Sequence, residues 1–145
     1  MAAAPSSTLT DLTGPEQELA AARSRAYALF AEALAYPDDE LREVLVDGGI
    51  AGALRACLSA ISSEISDSPE RWRALREVAG TDDLAIEFTR LFDAGASGPP
   101  CPLYGGLYEG DRMAKMEEAV RFYNHFGLTL SDVQRELPDH LTTQL

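Results

Sequence analysis

With 145 residues, 46% of them hydrophobic, the chain holds enough apolar material for one domain with a sizeable core. Its 12 basic residues against 24 acidic ones leave a net charge of −12, which argues against a nucleic-acid binder and favours a cationic partner. No apolar run approaches the ~18 residues of a membrane span, so stable membrane insertion is not expected.

The opening "MAAAPSSTLTDLTGPEQ" has neither the basic nor the apolar region of a secretory signal. It reads as a flexible tail over 1–13, followed by a single helical domain over 14–145. Thr13 and Glu16 make a T-x-x-E capping box, with Pro15 in the first turn. Leu19, Ala22, Ala26, Tyr27, Phe30, Ala33 and Leu34 then recur at helical spacing up to Pro37. Asp38 is a candidate cap for the next helix, whose inward residues are Leu41, Val44 and Leu45. Gly48-Gly49 breaks that run. Ile50, Leu54, Cys57, Leu58, Ile61 and Ile65 resume the period.

Ser68-Pro69-Glu70 is a second start signal, and Trp72, Leu75 and Val78 carry that helix's face as far as Gly80. Thr81, Asp82 and Asp83 open a further helix with Leu84, Phe88, Leu91 and Phe92 in register. After a Gly/Pro loop, Met113, Met116, Val120, Tyr123 and Phe126 mark another, with Gly127 at its C′ position. Ser131 and Gln134 form a further capping box. No stretch alternates polar and apolar side chains over a strand's length. The fold class predicted is all-α, a helical bundle.

Two places carry more than core. The loop after Phe92 contains Pro99, Pro100, Cys101, Pro102, Leu103, Tyr104 and Tyr108. Prolines present side chains at little entropic cost, and tyrosines have apolar bodies with polar tips. Such a loop is a recognition surface or a plug for its own bundle, and the residues alone favour neither.

The second place is Asp139-His140. A His beside a carboxylate suits a general base or a metal ligand. The simpler reading makes Asp139 a helix N-cap and His140 an ordinary first-turn residue. A metal site lacks further ligands in the sequence, and the order Asp-His reverses that of HD-type phosphohydrolases. His125 is explained by a helix C-terminus, Cys57 by a core position, and Trp72, Met113 and Met116 by core packing. Cys101 has no neighbouring cation to activate it, and the loop lacks a phosphate-binding pattern. No cofactor, metal or catalytic residue is expected. A helix opening at Pro138-Asp139 has little chain left to pack with, so the domain is expected to be C-terminally truncated or completed by another polypeptide.

Three motifs in order resemble the TorD/DmsD family of chaperones for molybdenum enzymes. They are Glu87, Phe88, Leu91 and Phe92; then Pro99, Pro100, Pro102, Tyr104, Gly105 and Tyr108; then Pro138, Asp139, His140 and Leu141. "MEEAVRFYNHFGL" between them looks like the family's helix before its Asp-His motif. The resemblance covers roughly residues 16–145 and is most specific over 84–145. The sequence departs from the pattern at Leu103, where members often have Pro, at Gly106, where Ser is common, and at Gln144, beyond which the family's further helices would follow.

The resemblance implies a cytoplasmic, non-enzymatic chaperone. It would bind the N-terminal leader, often of twin-arginine type, of a molybdoenzyme catalytic subunit and hold back export until the cofactor is loaded. Phe88, Leu91, Phe92, Pro102, Leu103, Tyr104 and Tyr108 would form the peptide groove, shaped by Asp139 and His140, with acidic surface facing the leader's arginines. It also implies homodimers by helix exchange. The loop "CPLYGGLYEGDRM" looks most like chaperones serving dimethyl-sulfide, ethylbenzene or oxyanion dehydrogenase/reductase systems. The competing reading is a helical interaction or regulatory module without leader affinity.

Overall fold

The computed structural model describes residues 14–62, 69–81, 83–96, 98–108, 110–130 and 136–145. Expectations placed on residues 1–13, and on Ile65, Ser68, Asp82, Ser131, Gln134 and the Leu75 side chain, lie outside the described residues. The fold is all-α. Its helices are α1 (Pro15–Ala33), α2 (Asp39–Asp47), α3 (Gly49–Ile61), α4 (Pro69–Ala79), α5 (Asp83–Phe88), α6 (Arg112–His125) and α7 (Leu141–Gln144). Among the described residues no strand forms, and isolated bridges pair Ala96 with Gly98 and Tyr104 with His140.

α1 starts at Pro15 with Gly14 in the N-cap position and no side-chain cap. Pro suits the first helical position because its missing N–H would have no partner there. The face this helix buries is narrower than predicted. Ala26 and Leu29 are buried, whereas Tyr27 and Phe30 face solvent. Leu29 was not among the expected inward residues. It lies one turn from Ala26 and Ala33, and the two alanines give α3 room to approach.

The Asp38 carboxylate caps α2 by accepting the Leu41 N–H at 2.9 Å, as predicted. Gly48 ends α2 at φ 80°, a left-handed conformation that costs other residues about 1–2 kcal/mol. The chain leaves it as α3, bent 58° from α2. That bend turns Ile50, Leu54 and Cys57 onto Ala26, Leu29 and Leu41, and these six form the buried core. Trp72 of α4 packs on its edge. α4 is also tied to α2 by Arg76, whose Nε donates to the Val46 carbonyl at 2.8 Å. Contrary to the predicted face of α4, Val78 is exposed and Ala79 is buried.

α5 runs into a single π-helical turn, Thr89–Asp93, closed by the Ala94 N–H donating to the Thr89 carbonyl at 2.8 Å. α6 ends in a Schellman motif: Gly127, at φ 71°, donates to Asn124 O, and Leu128 donates to Tyr123 O. No residue of α6 is buried. Met113 and Phe126, both expected to face inward, are 62% and 60% exposed. Among the described residues no single helix is long and apolar enough to cross a membrane.

Candidate functional site

The Gly/Pro loop is held at both ends. The Cys101 N–H donates to Leu91 O at 2.9 Å, returning the chain to the π-helical turn. Further on, Tyr104 pairs antiparallel with His140. The Leu141 N–H donates to Leu103 O at 2.8 Å, and the Gly105 N–H donates to Asp139 O at 2.9 Å. A 3-10 turn, Gly105–Leu107, follows. The 136–141 segment therefore clasps the loop at Leu103–Gly106, while Cys101, Leu107 and Tyr108 stay exposed.

Asp139 completes the clasp. It is 2% exposed, and its Oδ2 accepts the Gly106 N–H at 3.1 Å. This corrects the predicted cap: α7 is capped by His140, whose Nδ1 accepts the Thr142 N–H at 3.3 Å. Asp139 turns inward because Gly106 offers it a buried, otherwise unmet donor. The position at Gly106 has no room for a side chain, since a Cβ would lie 2.8 Å from Arg112 Cγ and 3.0 Å from Asp139 Oδ2. Asp139 Oδ1 and Arg112 Nε are also buried there, each without a hydrogen-bond partner among the described residues. The Tyr123 hydroxyl donates to Pro138 O at 2.8 Å and fastens the strap to α6.

Tyr104 carries the polar side of the site. Its hydroxyl donates to Glu136 Oε2 at 2.7 Å, its ring meets His140 edge-on at 4.7 Å, and the Arg112 guanidinium lies 5.1 Å from the ring centroid. Burial pushes its phenol up to about 12, reinforced by the hydrogen bond to Glu136 and then by the charges of Glu136 and Asp93. Tyr123 is raised as well, by burial and then by the Asp139 charge.

Adjacent residues of an extended segment point to opposite sides, so the clasp separates two clefts. One, of about 310 Å³, takes Phe88, Tyr104 and His140, together with Tyr36, Asp93 and Glu136. The other, of about 260 Å³, takes Phe92, Pro102, Leu103, Tyr108 and Asp139. Tyr108 and Asp139 also border a third, of about 530 Å³, against Phe122 and Tyr123 of α6. Leu91 is half-buried in the π-helical turn and lines none of these three. The residues expected to make one groove are thus brought to one region but divided. Phe88 and Phe92 stay in touch, with ring centroids 4.9 Å apart.

Sequence reasoning passed over Tyr36, Asp93, Glu136 and Arg112. Glu136, three residues before Asp139, was the one with a signal in its motif. Among the described residues no three His, Cys, Asp or Glu side chains gather as a metal site would require. Cys101 is an exposed free thiol and Cys57 a buried one.

Comparison with known proteins places this geometry in context. A family described as nitrate reductase delta subunit matches residues 16–145. The perchlorate reductase assembly chaperone protein of Dechloromonas aromatica (strain RCB) is 30% identical over 132 residues, covering 86% of this chain and 57% of that protein. The chlorate reductase assembly chaperone protein of Ideonella dechloratans is 34% identical over 84 residues, covering 52% of this chain and 44% of that one. The selenate reductase assembly chaperone protein of Thauera selenatis is 36% identical over 66 residues, covering 44% and 34%. The chain therefore spans little more than half the length of the first of these relatives. No solved structure gives a significant match.

Proposed function

Because the chain belongs to the nitrate reductase delta subunit family, that of the TorD/DmsD-type molybdoenzyme chaperones, we propose that it assists the assembly of a molybdoenzyme catalytic subunit. It does so by binding, with no bond made or broken. The segment bound is the subunit's N-terminal leader, of twin-arginine type, held in the cytoplasm before export while the cofactor is loaded.

The observation that carries this reading is the clasp. It fixes Leu103 and Tyr104 beside Asp139 and His140, so that aromatic and apolar side chains line ready-made clefts at a net-negative surface. Rigid, amphipathic side chains lose little entropy on binding, which suits capture of an extended peptide. The chlorate, perchlorate and selenate reductase relatives make an oxyanion reductase subunit the first client to try.

The test is a calorimetric titration with the leader peptide of such a subunit. Tyr104→Ala and Asp139→Ala should each weaken binding about tenfold or more, ~1.4 kcal/mol. Circular dichroism would check that both variants remain helical. Unchanged affinity in both folded variants removes the proposed site, and no binding by the parent chain removes the leader reading.

A further inference from the structure

The cleft beside His140 is unlike its neighbour across the clasp. Tyr36, Phe88 and Tyr104 give it aromatic walls, and Asp93 and Glu136 give it two carboxylates. Among the described residues no Lys or Arg lines it. The last turn of α1 also borders it, bringing the negative end of that helix's dipole with no basic side chain to offset it.

His140 lines the cleft as well. His140 is 7% exposed, with Nδ1 2.7 Å from the Thr142 hydroxyl and 3.3 Å from the Thr142 backbone nitrogen. Its Nε2 faces Glu136 Oε2 at 3.9 Å, beyond hydrogen-bond reach.

We propose that this cleft holds one arginine side chain of the bound peptide, its guanidinium set between the aromatic rings and the Asp93 and Glu136 carboxylates. Guanidinium fits better than ammonium because it is planar, stacks on aromatic faces and meets carboxylates in two-point fashion. Tyr104 already carries one such group, Arg112, 5.1 Å from its ring centroid. The Tyr104 phenol is raised first by burial, then by its hydrogen bond to Glu136 and the charges of Glu136 and Asp93, against the opposing charge of Arg112. The inference rests on the peptide-binding reading above and adds what the peptide must carry.

Two measurements separate the inference from that reading. In the first, the whole chain is titrated with N-acetyl-arginine amide and with N-acetyl-citrulline amide, its neutral isostere, while nuclear magnetic resonance follows His140 and the Gly105–Leu107 amides. Saturable shifts at these groups with the arginine compound alone are expected, and they weaken with added salt. No shifts, or equal shifts with citrulline, overturn the proposal.

In the second, the leader peptide is compared with versions carrying citrulline for each arginine, against the parent chain, Asp93→Asn and Glu136→Gln. Gln still accepts from the Tyr104 hydroxyl, so the loop keeps its anchor. One citrulline should cost the parent chain about tenfold in affinity and cost the variants markedly less, a coupling read from the cycle. Leader binding with the same citrulline effect in all three proteins overturns the cation cleft and leaves peptide binding standing. Arginine-amide shifts without leader binding do the reverse.

Discussion

Tyr104 shows how one side chain can join fold to site. Its hydroxyl is committed to Glu136, and its neighbours Leu103 and Gly105 are bonded to Leu141 and Asp139, so it cannot leave the clasp without breaking these contacts. The consequence is a pH dependence with a definite sign. The phenol ordinarily loses its proton near 10, and in the fold near 12, so the native state holds that proton more tightly. Its contribution to stability is complete below pH 10 and is lost as pH rises from 10 toward 12. Urea midpoints measured across that interval should fall for the parent chain and fall less steeply for Tyr104→Phe. Tyr123, raised by burial and the Asp139 charge, accounts for part of the slope that remains. Identical slopes in the two proteins would dissociate Tyr104 from this behaviour. Asp139 teaches a related lesson: Pro-Asp before an apolar residue reads as a helix cap, yet the buried Gly106 N–H claims the carboxylate first.

At the scale of the element, local signals decide where helices start and stop, and tertiary contacts decide which side chains they bury. Asp38 and Gly127 were readable because a cap and a left-handed glycine act within a few residues. Asp38→Ala should lower stability by ~1 kcal/mol, seen as an earlier urea midpoint with an unchanged slope. A change within error would mean that Asp39 and Glu40 supply the N-terminal charge unaided. The π-helical turn at Thr89–Asp93 was not readable. A 3–4 spacing of Phe88, Leu91 and Phe92 predicts a regular helix, and one extra residue per turn rotates them apart. That rotation leaves Leu91 out of the three clefts, while Phe88 and Phe92 face different ones.

At the scale of the molecule, the apolar material is distributed unevenly. The buried cluster lies among α1, α2 and α3, and α6 offers Met113, Phe122 and Phe126 to solvent. Leu54→Ala, a deletion in the middle of that cluster, should cost about 2–5 kcal/mol in urea denaturation. Met113→Ala should change stability by no more than ~0.5 kcal/mol. A large loss at Met113 together with a small one at Leu54 would overturn this placement of the core.

The sequence by itself determined the all-α class, most helix ends, the membership of Cys57, Leu54 and Ile50 in the core, and the family. These follow from periodicity, caps and motif order, which are properties of neighbouring residues. Only the tertiary structure decided that Asp139 faces Gly106, that His140 caps α7, that Leu29 displaces Tyr27 and Phe30 from the core, and that two clefts flank one clasp. The inward turn of Asp139 depends on a donor 33 positions away in the chain, Gly106, and it leaves the local cap of α7 to His140. The spacing of residues along one segment carries no information about the partner that arrives from another.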